Sequence, residues 1–194
     1  LDPSKTYYLT GKLQINEGGK LTIPAGTRIV ANGGTSSFVA VAQGGQIFAE
    51  GTATNPVVFT SENRMPGAWG GVVICGKAPI NKATTASAEV SELTYGGTVT
   101  NDNSGVIKYV RIEYAGAAYN SEKEFNGLSL FGVGNATTVE YVQLHEGADD
   151  GIEFFGGTVN TKYIVANGNE DDQFDWTEGW NGQNEFWFSK ASLG

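Results

Sequence analysis

Cysteine and histidine are scarce in this chain, and basic clusters and long apolar runs are missing. It has one cysteine (Cys75) and one histidine (His145) in 194 residues. A lone cysteine forms no internal disulfide, and no Cys-x-x-Cys or Cys/His group is present to hold zinc or run redox chemistry. Cys75 ends the apolar run Val72-Val73-Ile74-Cys75 and reads as a small buried hydrophobe. No apolar stretch reaches the roughly 18 residues of a transmembrane helix. Lysine and arginine total 12 against 21 acids, a net charge of −9, and they never cluster. Nucleic acid is therefore not expected as a partner, because phosphate binding needs a basic face. No window carries a helical period with caps. A Gly-x-Ser-x-Gly elbow, a Walker loop and a dinucleotide fingerprint are all missing, so serine hydrolysis and nucleotide chemistry have no support.

Glycine is what the chain has in excess, 28 of 194 residues, about double the usual share. With only five prolines, this is not a linker composition. Glycines spaced between short apolar runs mean short strands joined by tight turns, so the fold class is all-β.

The stretch 148–180 contains itself twice. Asp149-Asp150-x-Ile152-Glu153-Phe154 returns as Asp171-Asp172-x-Phe174-Asp175-Trp176, offset by 22 residues at every position, and Tyr141 returns as Tyr163. A fixed offset that keeps both acids and apolar residues marks a stacked repeat. Coils about 4.8 Å apart place Asp149 over Asp171, Asp150 over Asp172 and Glu153 over Asp175. Such like-charge ladders need raised pKa values, a bound cation or splaying into water. Two readings stand. The acids are turn residues capping their own backbone at solenoid corners, or the six form a cation site with calcium the natural ion. Phe154, Phe174 and Trp176 alternate with the acids and are expected in the core.

Tyr109 precedes Tyr141 by 32 residues, so that coil carries an insertion, placed at the polar segment 117–124. Aligning the tyrosines stacks Val110/Val142/Ile164 and Ile112/Leu144/Ala166 inward. Outward, it stacks Arg111/Gln143/Val165 and Glu113/His145/Asn167. Residues 76–105, rich in Thr, Ser, Ala and Asn, read as a long excursion from one coil, either spacer or functional loop.

The N-terminal half carries Gly18-Gly19-Lys20-Leu21-Thr22-Ile23-Pro24-Ala25-Gly26-Thr27, then Gly44-Gly45-Gln46-Ile47 with Gly51-Thr52, Pro56-Val57-Val58-Phe59-Thr60-Ser61, and Trp69-Gly70-Gly71-Val72. Together with Asp-Asp-Gly-Ile-Glu-Phe-Phe-Gly-Gly at 149–157, this resembles the right-handed parallel β-helix of secreted or surface lipoprotein-like proteins from Bacteroidetes-type bacteria. The resemblance covers most of the chain and implies a single β-helix domain over 1–194. It also implies an extracellular or cell-surface location, the outer membrane included, with an anchor on a preceding segment. The fresh strand Asn184-Glu185-Phe186-Trp187-Phe188 near the end leads us to expect a portion of a longer protein, since solenoids need caps.

This scaffold hosts lyases, hydrolases, adhesins and binding modules, so fold alone does not decide activity. By analogy, β-helix polysaccharide lyases use calcium held by acids plus a basic side chain, which makes Arg111 a candidate. His145, in the column beside Glu113, is a candidate acid or base, against the plainer reading of a surface histidine. The elements of β-helix polygalacturonases are absent apart from one Asp-Asp. Trp180 and Asn181, in a turn, suit stacking on a sugar; the plainer reading folds Trp180 over the coil end. The leading expectation is a noncatalytic binding or structural module that contacts a glycan or another surface protein. The alternative is a calcium-dependent polysaccharide lyase.

Overall fold

The computed structural model describes residues 1–120 and 123–191. Ser121 and Glu122, within the expected insertion at 117–124, lie outside the described residues; on either side of them, Ala118–Asn120 pairs antiparallel with Lys123–Glu124.

Two parallel sheets face one another. The first runs Thr6–Leu9, Arg28–Ala31, Val57–Thr60, Gly105–Glu113, Thr138–His145, Asn160–Asn167 and Asn184–Lys190, with Lys20–Pro24 and Gln46–Glu50 alongside. The second runs Leu13–Ile15, Val39–Val41, Val72–Cys75, Leu128–Phe131, Ile152–Phe155 and Phe174–Thr177. Order across each sheet follows order in the chain, so every coil stacks on its predecessor. The chain is a right-handed parallel β-helix. The described residues contain no helix, and none therefore long and apolar enough to cross a membrane.

Period-2 side chains fill the space between the sheets. Val110, Val142 and Ile164 pair in register, as do Ile112, Leu144 and Ala166, and all are buried. On the second sheet Ile74, Leu130 and Phe154 form an inner column that Trp176 continues. Here one expectation is corrected. Phe154 is fully buried and Phe174 half-buried, but Trp176 is 57% exposed. It belongs to the last strand of its sheet, and no further described strand covers it.

The first sheet changes character along the chain. In the early coils Lys20–Pro24 and Arg28–Ala31 are separate strands around a Pro-Ala-Gly-Thr turn, and Gln46–Glu50 and Val57–Thr60 flank a longer one. Gly105–Glu113 replaces each such pair with a single strand: residues 105–108 pair with Ile47–Glu50, and Val110–Ile112 with Val57–Phe59. The corner has shrunk to one residue, Tyr109, in the left-handed region at φ 51°. Tyr141, Tyr163 and Phe186 repeat it at 54°, 59° and 57°. Each such L-residue costs about 1–2 kcal/mol, which the stacking described below offsets.

Outside the second sheet lies a second core. Val72–Cys75 is apolar at all four positions because both faces are covered. Val73, Cys75, Phe131 and Phe155 pack outward against Ala88, Val90 and Tyr95. Those three come from the segment after Cys75, which carries the small hairpin Ala86–Ser87 with Thr94–Tyr95. That segment also reaches the last coils: the Tyr95 hydroxyl donates to Glu178 Oε2 at 2.7 Å, and Lys82 pairs with Glu178 at 3.0 Å.

Candidate functional site

The acids predicted to stack do so at the edge of this outer core. Glu153 pairs in register with Asp175, and the backbone N–H of Asp172 donates to Asp150 Oδ1 at 2.9 Å. Two groups have carboxylate oxygens within 4.8 Å of one another: Asp149, Asp150 and Asp171, and Asp150, Glu153 and Asp175. Asp172 joins neither, and serves the ladder through its backbone. Asp150, shared by both groups, is only 7% exposed.

The register also brings in a residue that the 22-residue repeat conceals. Leu128 pairs with Ile152, so Asn126, two residues before Leu128, stands one coil below Asp150. Its side chain is buried, and Nδ2 donates to Glu153 Oε2 at 2.7 Å and more weakly to Ser129 Oγ at 3.4 Å. Its Oδ1 has no partner among the described residues. The aligned segments are Phe-Asn-Gly-Leu-Ser-Leu-Phe at 125–131 and Asp-Asp-Gly-Ile-Glu-Phe-Phe at 149–155. Their offset of 24 rather than 22 is what hid the match.

Burial dominates the electrostatics of the cluster. It pushes Glu153 up to about 9, with Asp150 and Asp175 adding to the rise and the Asn126 hydrogen bond opposing it. Burial, then the Asp149 charge, raises Asp150 to about 7; burial, then Glu124, raises Asp149 to about 6. The largest side-chain charges acting on these three are those of one another, Asp171, Asp175, Glu89 and Glu124, all acidic. Among the described residues no lysine, arginine or histidine forms an ion pair with them.

Neither candidate base joins them. Arg111 projects from the outer face of the first sheet, with Nη2 2.8 Å from Glu113 Oε1 and Nε donating to Gln143 Oε1 at 3.0 Å. His145 does pair in register with Glu113, but that carboxylate turns to Arg111 and to the Thr60 hydroxyl at 2.7 Å. The ring nitrogen Nδ1 of His145 instead lies 2.7 Å from Asn167 Nδ2. Trp180 is half-buried, its ring 4.5 Å from that of Phe154 and its Nε1 donating to the Val159 carbonyl at 3.1 Å. Asn181 is exposed beside it, and its N–H donates to the Gly157 carbonyl at 3.1 Å.

A second feature comes from the tyrosine corners, which in the sequence served only to set the register. Tyr109, Tyr141, Tyr163 and Phe186 form a continuous stack, with ring centroids 4.3, 4.4 and 4.9 Å apart. Beside it runs the column Arg111, Gln143 and Val165, and between the two lies an open groove of about 510 Å³. Its walls are mostly apolar. Cations along this face are already matched: Lys108 with Glu140 at 2.9 Å, Lys162 with Glu185 at 2.7 Å, and Arg111 with Glu113.

A family model described as a pectate-lyase-like β-helix domain matches residues 1–193. Comparison with curated proteins and with solved structures finds no match.

Proposed function

The chain belongs to the pectate-lyase-like β-helix domain family, and from that premise we propose a noncatalytic role. It is a secreted or surface-displayed module that holds an extended, uncharged glycan along the aromatic groove. The observation that carries this reading is the ladder of four aromatic corners in register. A surface that repeats once per coil suits a ligand that repeats along its own length. The phenol hydroxyls, the Gln143 amide and the planar Arg111 guanidinium supply hydrogen bonds, and the ring edges with Val165 supply apolar contact. Paired cations leave no free positive charge in the groove for a uronate, which favours a neutral polymer.

The calcium-dependent lyase reading has weaker support. Acid–base chemistry needs its groups within hydrogen-bond reach of one reacting centre. Arg111 sits in the groove of the first sheet, bound to Glu113, while the carboxylate cluster flanks the second sheet among acidic neighbours.

The test is calorimetry with neutral and uronate oligosaccharides, comparing wild type with Tyr163→Phe and Arg111→Gln. Tyr163→Phe keeps the stack and removes one hydroxyl. Binding of a neutral oligosaccharide, weakened severalfold by each change and without cleavage, is expected. If no glycan binds, or both variants bind like wild type, the groove reading is wrong and a protein partner is the remaining expectation. Release of unsaturated uronate would establish the lyase instead.

A further inference from the structure

We propose that Asp150, Glu153 and Asp175, with the carboxamide of Asn126, form a divalent-cation site of the calcium type that clamps three successive coils together. The site is structural and stands apart from whatever the groove on the first sheet binds.

Three observations converge on it. The first is donor chemistry. All the groups offer oxygen, and carboxylates with an amide carbonyl are the ligands a hard cation takes at about 2.3–2.6 Å. Oxygens held within 4.8 Å of one another match the span across such an ion. The three carboxylates can each bind through one or two oxygens, so with Asn126 they supply about four to seven of the six to eight ligands calcium commonly takes, water completing the shell.

The second is the lack of an ion-pair partner. Buried acids in native proteins are ordinarily paired or bound to metal. Among the described residues no lysine, arginine or histidine pairs with Asp150, Glu153 or Asp175, and the largest side-chain charges acting on Asp150 and Glu153 are carboxylates. Asp150 cannot splay into water, because it is 7% exposed.

The third is independent of the acids. Asn126 is 2% exposed, its carboxamide reaches Glu153, and its Oδ1 has no hydrogen-bond partner among the described residues. An unsatisfied buried carbonyl is costly and asks for an explanation. A half-turn of the carboxamide exchanges Nδ2 for Oδ1 toward Glu153. That orientation is unfavourable against a bare carboxylate and favourable when a cation lies between them. Asn126 comes from the coil before Asp150 and Glu153, and Asp175 from the coil after. An ion held by all four would cross-link three turns of the solenoid, adding to the two parallel strand pairings, one in each sheet, that join neighbouring turns.

The experiment is calcium titration of chelator-treated protein by calorimetry, with melting temperature recorded in parallel and magnesium as comparison. One calcium per chain, a higher melting temperature and preference over magnesium are expected. Glu153→Gln should weaken binding at least tenfold and remove the calcium-dependent rise. In chelator the same variant should melt at or above the wild-type temperature, because glutamine keeps the side chain's shape and removes one carboxyl from a cluster that then has no cation. Asn126→Asp should bind calcium more tightly and Asn126→Leu more weakly, while Glu146→Gln, outside the cluster, should bind like wild type. Absence of calcium heat and of any melting shift overturns the proposal. So does unchanged calcium affinity in both Glu153→Gln and Asn126→Leu. Should Asn126→Leu fail to fold, the Glu153→Gln result decides alone.

Discussion

Tyr141 and Tyr163 stack with ring centroids 4.4 Å apart and planes 16° from parallel, each on a backbone in the left-handed region. Position and ring are coupled. The single-residue corner lets two strands merge into one, and it also throws each side chain out along the solenoid, where its neighbours above and below are rings. Stacked pairs contribute about 0.5–1.5 kcal/mol each, comparable with the backbone cost.

That coupling predicts an inverted ranking at Tyr141. Both Tyr141→Ala and Tyr141→Gly lose the stacking on Tyr109 and Tyr163 and are destabilised. Glycine tolerates the left-handed corner and alanine does not, so Tyr141→Gly should be the more stable of the two by about 1 kcal/mol. In an ordinary strand interior, glycine would be the worse. Denaturant midpoints of the two variants decide it.

The acid cluster fixes a direction for pH dependence. Glu153, Asp150 and Asp149 are raised to about 9, 7 and 6, burial being the first cause in each, whereas unfolded carboxyls titrate near 4. The folded chain therefore holds these protons more tightly than the unfolded one. The stability they contribute is complete below about pH 4 and is lost as pH rises through about 6, 7 and 9. In chelator, the melting temperature should fall between about pH 5 and pH 9. Glu153→Gln should flatten the upper part of that fall. A melting temperature that rises over the same range in chelator would contradict the burial of these acids.

Much of this was legible in the sequence. The 22-residue offset gives the stacking of Glu153 on Asp175 and of Asp150 near Asp172, and the aligned tyrosines give the inward and outward columns of the first sheet. What escaped has physical reasons. Asn126 escaped because its coil carries two more residues between matching positions than the next. The groove escaped because a tyrosine in a strand-like run reads as part of that strand, and nothing local announces a left-handed φ. The outer core left a clear trace: Val73 and Cys75 are apolar at positions facing away from the first sheet, which a half-buried strand would fill with polar residues. Trp176 misled because alternation marks which way a side chain points, not whether another coil covers it.

The cover over that outer core can be probed chemically. Burial pushes the Cys75 thiol up to about 12, and Ala88, Val90 and Tyr95 pack in the same cluster. Thiol reagents at neutral pH should leave Cys75 unmodified in the native protein and react with it once the chain unfolds. Glu178 fastens the covering segment through Tyr95 and Lys82. Glu178→Ala should therefore speed labelling of Cys75 severalfold while circular dichroism stays unchanged. Equal labelling rates would mean that the apolar contacts alone hold the segment down.

Trp69 gives the sharpest stability prediction. Its indole is fully buried, stacks on Phe59 at 6.3 Å, and donates Nε1–H to the Glu113 carbonyl at 2.8 Å. Glu113 is the residue that also receives Arg111 and Thr60, so Trp69 links the core to the end of the strand bearing the groove. Trp69→Ala removes the ring from a packed interior and should cost about 3–5 kcal/mol. Trp69→Phe keeps an aromatic ring but leaves the Glu113 carbonyl without this donor, and should cost less, with about 1–3 kcal/mol of it from the lost hydrogen bond. Calorimetric unfolding of both variants tests the ranking. If Trp69→Phe were as stable as wild type, the indole N–H would contribute nothing, and the anchor between core and groove would be packing alone.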